Sequence, residues 1–537
     1  MKKTLSIICS LFFISVHIHA QDRDISYMTS GGKLHPLQSI MDIRHYTLSL
    51  DVNIQDQSIS GSNSIDLILS QSTDTILFDL VHFMKVDKIT VNNKVADFFQ
   101  KADHIFITSK NGFPQGKHTI KIEYGGKPPV AVRPPWKGGF TWTKDKAGNP
   151  WVAINCQLEG AKVYFPCKDH PGDEPNDGAD LIITVPTGLT VAGPGLLQTV
   201  TNKKNNKTSF HWKTNYTISN YCILFNIGKY KTISRPYTSI EGNKVPMQFY
   251  ILEQDTEHAA QVLDLRERDT RILEKYFGEY PWIKEKIGIA QVPNSGMEHQ
   301  TMITYGDRFT YKKVGDHYYS PNLFHEFAHE WFANKVTNKD WAHMWIQEGI
   351  TTYSEALAFR EMAGEKGYDS MVLAFRMNIK NLKPLVQGEE VNSGDTYTGD
   401  IYSKGAFFMH TLRYVLGDSI FFPTLKILAT DPKYTYHNFV TTDDVEQLFS
   451  KSSGKNLKPL FDFYLKTTDR VEIHLIQSKN DEYKIFSSNT PLPLPLEITT
   501  DAGSIKIVLD KNPVTLKSKS LPVIDAKGNY LKKVIIQ

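Results

Sequence analysis

Two patterns of hydrophobic and polar residues divide this chain. From about residue 40 to residue 232 the apolar residues alternate with polar ones, as in "HYTLSLDVNI", where Tyr46, Leu48, Leu50 and Val52 fall on one side. "NSIDLILS" and "HTIKIEY" repeat this pattern, with Gly, Asn and Asp between the segments. A period of two residues is typical of strands with one buried face. We therefore expect residues 21–232 to form a mainly β domain.

Beyond residue 232 the apolar residues recur at helical spacing. "DTEHAAQVLDLRERDTRILEKYF" is the first such segment, and others follow up to "LKPLFDFYLKTT" near residue 467. After residue 470, β-type segments such as "SIKIVLD" and "KKVIIQ" return among Pro and Gly residues. The pattern predicts an α+β multidomain protein, with a mainly α domain over residues 233–468 and a small β domain over residues 469–537.

The first twenty residues have the layout of a secretory signal peptide. Two lysines at positions 2 and 3 precede an apolar run over residues 5–16, and "HIHA" follows before Gln21. The run is too short to span a membrane comfortably, although an uncleaved N-terminal anchor is the alternative. No later apolar stretch reaches spanning length. We expect export to the periplasm or the medium, without stable membrane insertion once the signal is removed.

Composition excludes several classes of protein. A chain of 537 residues with 40% hydrophobic and 12% aromatic residues can fill more than one globular core. Removing the signal takes away two lysines and no acids, so the formal net charge falls from +3 to +1. This balance argues against nucleic acid or an acidic membrane as partner.

Cysteine usage points away from a disulfide-stapled scaffold. Cys9 leaves with the signal, and Cys156, Cys167 and Cys222 remain, which permits at most one internal disulfide.

The chemistry of the chain is concentrated in "NLFHEFAHEWFANK". Ser320 followed by Pro321 is a favourable helix start, and a helix running onward places His325 and His329 one turn apart on one face. Imidazoles at that spacing can bind one Zn²⁺, with Glu326 beside a metal-bound water. The alternative is an ordinary helix with two partly exposed histidines.

A third ligand decides between these alternatives. Glu348 lies in "WIQEGITTYSEAL", on another expected helix with Trp345 packed nearby. Two histidines and one carboxylate with an open position form a hydrolytic zinc site, whereas four protein ligands form a structural one. We therefore predict one Zn²⁺ per chain, bound by His325, His329 and Glu348, with Glu326 as general base.

These motifs resemble the gluzincin zinc aminopeptidases, the family of alanyl and leucyl aminopeptidases that also contains leukotriene hydrolase. "WIQEG" is similar to the segment "WLNEG" that supplies the family's third zinc ligand. The resemblance runs from "YTLSLDV" to "FDFYL". It implies an N-terminal β-sandwich or saddle domain, a thermolysin-like catalytic domain and peptide substrates with a free N-terminus.

The resemblance also implies how such a substrate is held. "SGMEHQ" looks like the GxMEN exopeptidase motif, so Glu298 would bind the α-ammonium group and Gly296 and Met297 would be neighbouring substrate contacts. His299 stands where the motif has asparagine, which puts the nearby substrate contacts in doubt. The alternative for Glu298 is a surface acid.

Two further roles follow from the resemblance. "IYSKG" is similar to the segment whose tyrosine stabilises the oxyanion, which makes Tyr402 the candidate, with a core tyrosine as the alternative. "NCQLEG" resembles a loop whose glutamine helps to bind the amino terminus, which points to Gln157, with an ordinary loop amide as the alternative. Glu355 is expected to orient a zinc ligand, or else to be a solvated helix acid.

One departure concerns architecture. Many members of the family continue into a helical C-terminal domain that roofs the active site, and we expect a short form without it. The cleft is then either more open or covered by a second subunit, so a homo-oligomer stays an alternative. A non-catalytic zinc-binding scaffold and an epoxide hydrolase are the alternative functions. The preferred N-terminal residue and the physiological peptide are not fixed by the sequence.

Overall fold

The computed structural model describes residues 28–537, so the predicted signal peptide lies outside the described residues. The predicted fold class is confirmed, because a β-rich part, a helical part and a second β-rich part follow one another along the chain. The first part begins with a short helix, α1 (Pro36–Ser39), and continues through the strands β1 (Met41–Asn53), β2 (Ser58–Leu69), β3 (Thr73–Asp79), β4 (Lys85–Val91), β5 (Lys94–Val95), β6 (Asp97–Lys101), β7 (His104–Phe113), β8 (Gly116–Gly126), β9 (Gly139–Lys144), β10 (Pro150–Asn155), β11 (Ala179–Pro186), β12 (Thr190–Ala192), β13 (Leu196–Lys203), β14 (Lys207–Thr214) and β15 (Asn226–Gly228).

These strands form three sheets around one apolar core. An eight-stranded sheet has the order β13-β14-β11-β1-β2-β8-β4-β5, a four-stranded sheet the order β12-β15-β10-β9, and a three-stranded sheet the order β3-β7-β6. The alternation predicted for β1 is confirmed, since Tyr46, Leu48, Leu50 and Val52 are all buried. Burying one face of a long strand in this way holds the sheet against the rest of the core.

The second part combines a five-stranded sheet with most of the helices. Its elements are β16 (Tyr230–Thr238), β17 (Lys244–Leu252), α2 (Ala259–Phe277), β18 (Ile287–Gln291), β19 (Gly296–Met297), β20 (Ile303–Tyr305), β21 (Lys312–Val314), β22 (His317–Tyr319), α3 (Pro321–Ala328), β23 (Thr337–Asn338), α4 (Met344–Asn378), α5 (Ser393–Thr396), α6 (Gly399–Leu416), α7 (Asp418–Thr430), β24 (Phe439–Val440), α8 (Thr442–Ser453) and α9 (Lys458–Lys466). The sheet has the order β16-β17-β18-β20-β19, which leaves β19 at its edge. The proposed domain boundary between residues 232 and 233 falls inside β16, and a boundary before Tyr230 would keep this sheet whole.

The third part consists of β25 (Val471–Lys479), β26 (Glu482–Ser487), β27 (Leu494–Thr500), β28 (Gly503–Leu509), β29 (Val514–Lys517), β30 (Val523–Ile524) and β31 (Lys532–Ile536). They form a four-stranded sheet, β29-β26-β25-β31, and a three-stranded sheet, β28-β27-β30. Their buried residues, such as Ile473, Ile485 and Leu496, belong to the same apolar cluster as the helices of the second part. This β part therefore packs directly on the helices.

Two sequence expectations outside the site can be compared with the described residues. Cys156, Cys167 and Cys222 are free and buried, and burial raises the pKa of each thiol well above its ordinary value. Between residues 28 and 537, every helix is too short or too polar to cross a membrane.

A buried carboxylate joins the first part to the second. Glu174, in a loop of the first part, accepts hydrogen bonds from Thr217 (3.0 Å) and Ser219 (2.6 Å), and from Thr337 of β23 (3.1 Å). Burial raises the pKa of Glu174 to about 7, although the three hydroxyls oppose this shift. The folded protein therefore holds a proton on Glu174 more tightly than the unfolded chain does.

We predict that this carboxyl group makes stability depend on pH. Because the pKa of Glu174 is higher in the folded state than the ordinary 4.5, its protonated carboxyl group stabilises the fold fully below pH 4.5. This contribution is lost as the pH rises through about 7. Glu174→Gln should reduce the fall in the free energy of unfolding between pH 5 and pH 8 by about 1 to 3 kcal/mol. Denaturant unfolding at both pH values measures it, with the exposed Glu257→Gln as matched control. An equal fall in Glu174→Gln and wild type would contradict the assignment.

Candidate functional site

Helix α3 holds two histidines in one orientation. It begins after Ser320, whose side-chain oxygen accepts a hydrogen bond from the Leu323 amide at 3.3 Å, and Pro321 is its first residue, as the sequence predicts. His325 lies in the helix and His329 caps its end. The spacing of four residues brings their Nε2 atoms to 3.1 Å from each other.

Hydrogen bonds fix which nitrogen of each ring carries a proton. His329 Nδ1 lies 2.9 Å from the carbonyl oxygen of Phe332, which can only accept, so Nδ1 donates. His325 Nδ1 lies 2.8 Å from Oε1 of Glu355 and donates to it. In the neutral rings both Nε2 atoms therefore present a lone pair to the same point.

Glu348 brings a carboxylate to that point. It lies in the first turns of α4, is 2% exposed, and its Oε2 is 3.5 Å from His325 Nε2 and 3.3 Å from His329 Nε2. Among residues 28–537, Oε2 has no hydrogen-bond partner. Burial opposes its ionisation, but the imidazoles of His329 and His325 prevail and lower the pKa of Glu348 to about 2.

These three side chains fit a divalent metal ion. Their ligand atoms all lie within 4.8 Å of one another. With both rings neutral, two lone pairs and an ionised oxygen at such separations repel one another, so this group must take up either protons or a metal ion. Two imidazole nitrogens and one carboxylate oxygen form a donor set that suits zinc and leaves one position open.

Glu326 adjoins the ligands on the same helix. Its Oε1 accepts a hydrogen bond from Asn322 Nδ2 at 3.0 Å, one helical turn earlier. Burial raises the pKa of Glu326 to about 7, although the two neighbouring imidazoles lower it. The carboxyl group is therefore able to exchange a proton near neutral pH.

Two glycines bring the next functional side chain into the cleft. A Cβ atom on Gly349 of α4 would lie only 2.8 Å from Cα of Gly405 in α6, so the two helices pack backbone to backbone at this point. Because Gly349 follows Glu348 and Gly405 lies three residues after Tyr402, this approach sets the carboxylate and the phenol side by side. Tyr402 hydrogen-bonds to the hydroxyl of Tyr397, and Tyr397 also donates to Glu348 Oε1 at 3.4 Å.

A second carboxylate lines the same cleft as the His-His-Glu group. Glu298 is 2% exposed, which excludes the surface-acid alternative. Its Oε1 accepts hydrogen bonds from Gln157 Nε2 (2.5 Å), Tyr221 (2.9 Å) and Gln347 Nε2 (3.1 Å). Burial raises the pKa of Glu298 and Glu348 adds to this shift, although His329 and the hydrogen bond from Tyr221 oppose it. A cation next to Glu298 would relieve both effects.

His299, the departure from the family motif, is 1% exposed next to Glu298. Neither of its ring nitrogens has a hydrogen-bond partner among the described residues, and burial lowers its pKa to about 3. The ring is therefore neutral, with its centroid 6.4 Å from that of Tyr221. His299 adds no charge beside Glu298.

One cleft of about 180 Å³ unites the predicted residues. It is lined by Gln157, Gly296, Met297, Glu298, His325, Glu326, His329, Glu348 and Tyr402, which are all the predicted site residues. The cleft contains or adjoins residues that sequence reasoning missed: Trp136, Tyr221, Asn322, Gln347 and Tyr397. Asn322 and Gln347 could have been found, since one lies a turn before Glu326 and the other directly precedes Glu348. Trp136, Tyr221 and Tyr397 reach the cleft through loops that carry no periodic signal.

Comparisons with known proteins agree with this arrangement. The family model described as "Peptidase M1 N-terminal domain" matches residues 43–222, and "Peptidase family M1 domain" matches residues 262–464. Over 460 residues the chain is 24% identical to "Aminopeptidase 2, mitochondrial" of Saccharomyces cerevisiae, which covers 79% of this chain and 46% of that protein. It is also 24% identical to "Leukotriene A-4 hydrolase" of Xenopus laevis over 406 residues, 70% of this chain and 63% of that protein.

A solved structure shares the fold. The M1 zinc metallopeptidase from Deinococcus radiodurans aligns with a TM-score of 0.65 at 22% identity, covering 82% of this chain and 94% of that chain. The chain spans about half the length of several curated relatives that it matches.

We predict that Glu355 sets the metal affinity through His325. Glu355→Gln should weaken binding of a divalent metal ion by about 10- to 100-fold, because the carboxylate fixes the ring and makes Nε2 more basic. Competition with a chromophoric chelator measures the affinity. Glu361→Gln, on the same helix but paired with Lys275 and Tyr276, is the matched control and should keep wild-type affinity. Equal affinity in both variants would show that Glu355 does not act on the metal site.

Proposed function

The chain belongs to peptidase family M1, and from this premise we propose that it is a zinc aminopeptidase that removes N-terminal residues from peptides. The observation that carries the proposal is the pairing of two features in one cleft. A His-His-Glu group suited to zinc and the buried carboxylate of Glu298 line the same cleft. The first suits amide hydrolysis, and the second suits a substrate with a free amine.

The proposed metal is one zinc ion per chain, held by His325, His329 and Glu348. When bound there, zinc supplies a Lewis acid and lowers the pKa of a water molecule towards about 7. The protein's part is to hold the three ligands in place. Glu355 and the Phe332 carbonyl fix the rings, and Tyr397 donates a hydrogen bond to Glu348.

Glu326 is proposed to take the proton of the attacking water and to pass it to the leaving amine. Asn322 holds one oxygen of this carboxylate at 3.0 Å, which leaves the other oxygen for the proton. Its pKa of about 7 suits a group that must first accept and then donate near neutral pH.

Tyr402 is proposed to donate a hydrogen bond to the oxyanion that forms on the scissile carbonyl. Its ring centroid lies 5.9 Å from that of His325, with 29° between the ring planes, which is consistent with a phenol beside the proposed metal ligands. Burial raises the pKa of Tyr402 well above its ordinary value, and Glu348 adds to this effect. The hydroxyl therefore stays protonated and can act as a donor.

Glu298 is proposed to bind the substrate's ammonium group, assisted by Gln157. The donors from Gln157, Tyr221 and Gln347 converge on one oxygen and hold the carboxylate still. An ammonium at this place lies a fixed distance from the metal ligands, so the bond one residue away is the one presented for hydrolysis.

Gly296 and Met297 are proposed to contact the substrate backbone along the edge strand β19. A side chain at Gly296 would lie 2.3 Å from the Thr304 carbonyl oxygen and 2.8 Å from Oδ1 of Asn322. Only glycine therefore keeps β19 paired with β20 beside the zinc helix.

The volume of the cleft argues against the epoxide hydrolase alternative. At about 180 Å³ it lies below the roughly 300 to 1,000 Å³ of pockets that enclose drug-sized ligands. A lipid chain would need more room, whereas one amino-acid side chain fits. The presence of both Glu326 and Tyr402 beside the proposed zinc ligands argues against a non-catalytic scaffold, because zinc binding alone requires neither residue. Export of the enzyme through its signal peptide stays part of the proposal.

We predict that Glu326→Gln keeps its zinc but hydrolyses almost nothing, because the amide has the same shape and cannot accept the proton. Metal analysis and hydrolysis of aminoacyl amides measure the two properties separately. His329→Ala is the comparison variant and should lose nearly all its zinc, since one of three ligands is removed.

Wild-type turnover in Glu326→Gln would show that another group is the base. Stoichiometric zinc in His329→Ala would show that the ligand set is wrong.

We also predict that a free N-terminus is required. Acetylation of a peptide removes the charge that pairs with Glu298, and losing one side of a buried pair costs about 3 to 5 kcal/mol, or roughly two to four decades in kcat/KM. A peptide and its acetylated twin should differ by that factor in the wild type. Glu298→Ala should have a lower kcat/KM for the free peptide, and its kcat/KM values for the free and the acetylated peptide should lie closer together. Unchanged zinc content in this variant is the control for an intact metal site. Comparable rates on both peptides in the wild type would defeat the aminopeptidase proposal.

A further inference from the structure

A short hairpin of the first part reaches over the cleft. It consists of residues 129–140, here called the rim hairpin. Its arms are joined by backbone hydrogen bonds from Ala131 to Phe140 (3.0 Å) and between Arg133 and Lys137 in both directions (3.2 and 2.9 Å). The bonds between Arg133 and Lys137 close a tight tip over residues 134–136. Pro135 and Trp136, at this tip, line the cleft.

The base of the rim hairpin is fixed beside the amine-binding loop. The Gly138 amide donates a hydrogen bond to Oε1 of Glu159 at 2.9 Å, and Glu159 is only 5% exposed. A Cβ atom at Gly138 would lie 2.2 Å from the Asn155 carbonyl oxygen, so only glycine permits this approach. Because Glu159 lies two residues after Gln157, the position of the tip is set relative to the group that holds Glu298.

Trp136 is placed to meet a ligand. It lines the cleft and is nevertheless 49% exposed. The guanidinium carbon of Arg133 lies 5.9 Å from the centre of the indole. This cation–π contact restrains the face of the indole that is turned towards Arg133. A large aromatic surface left open at the mouth of a cleft has apolar area to bury when a ligand enters.

Two apolar residues of the cleft are sequence neighbours of the residues proposed to hold the amine. Leu158 directly follows Gln157, and Met297 directly precedes Glu298, and both line the cleft with Pro135 and Trp136. The carboxylates of Glu298, Glu326 and Glu348 line the same cleft. The wall thus offers apolar contact, and its surroundings repel an acidic side chain.

We propose that Trp136 is a specificity-determining residue, whose indole forms with Pro135, Leu158 and Met297 the wall that receives the side chain of the substrate's first residue. The preferred substrates are then peptides that begin with a large apolar or aromatic residue. This inference rests on the proposed function, since the ammonium on Glu298 is what brings the first side chain to this wall.

The test compares aminoacyl amides of phenylalanine, leucine and alanine. Trp136→Ala should lower the ratio of kcat/KM for phenylalanyl over alanyl amide by about 10-fold, because aromatic contact and apolar burial are lost for the large side chain only. Trp136→Phe should restore most of the ratio. Val132→Ala is the matched control, since Val132 is 64% exposed on the same hairpin and is not among the described residues that line the cleft. A ratio within twofold of wild type in Trp136→Ala would overturn the proposal.

A binding measurement separates this inference from the proposed function. In the Glu326→Gln background, calorimetry should show that Phe-Ala binds more tightly than Ala-Ala, and that adding Trp136→Ala removes most of the difference. If the wild type hydrolyses no amide but the affinities for Phe-Ala and Ala-Ala differ in this Trp136-dependent way, the proposed role of Trp136 is supported and the aminopeptidase proposal fails. If the wild type hydrolyses amides, but neither the kcat/KM ratio of phenylalanyl over alanyl amide nor the dipeptide affinity depends on Trp136, the proposed role of Trp136 is wrong.

Discussion

Three electron-rich atoms converge on one point, and the rest of the site is arranged around that fact. The Nε2 atoms of His325 and His329 and the Oε2 atom of Glu348 lie 3.1 to 3.5 Å apart; His329 and Glu348 are almost fully buried and His325 is partly buried. Such an arrangement is unfavourable by itself, since each atom offers a lone pair or a charge to the others. A bound cation would replace this repulsion by attraction to all three atoms.

Holding those atoms together requires support from several elements. Helix α3, which carries both histidines, packs on Arg266 of α2. Arg266 is fully buried, donates to the Leu323 carbonyl at 3.0 Å and has its guanidinium carbon 3.8 Å from the centre of the Phe327 ring. At the other end, Asn334 donates to the Glu298 carbonyl at 2.8 Å and to Glu330 at 3.0 Å. The segment that follows His329 and the segment of Glu298 are thus joined by hydrogen bonds. This connection would keep the proposed metal site at a fixed distance from the proposed amine site.

Local spacing carried most of what the sequence could predict. The cap at Ser320, the spacing of His325 and His329 and the alternation of β1 are properties of neighbouring residues, so they can be read without tertiary knowledge. The division into β-rich, helical and β-rich parts follows from the same periodicities. The contact of Gly349 with Gly405, the donors around Glu298 and the approach of Trp136 depend on how separate elements pack. No spacing along the chain encodes them, and for Glu298, Gln157 and Tyr402 only a resemblance to a family indicated a place in the cleft.

The central claim is that these three side chains converge because they bind zinc. Anomalous X-ray diffraction above and below the zinc absorption edge, on crystals grown without added metal, tests it most directly. The account predicts a single strong peak, roughly 2.0 to 2.2 Å from Nε2 of His325, Nε2 of His329 and a carboxylate oxygen of Glu348. A zinc peak bound by other residues, or these three side chains in the same positions with no peak between them, would contradict it.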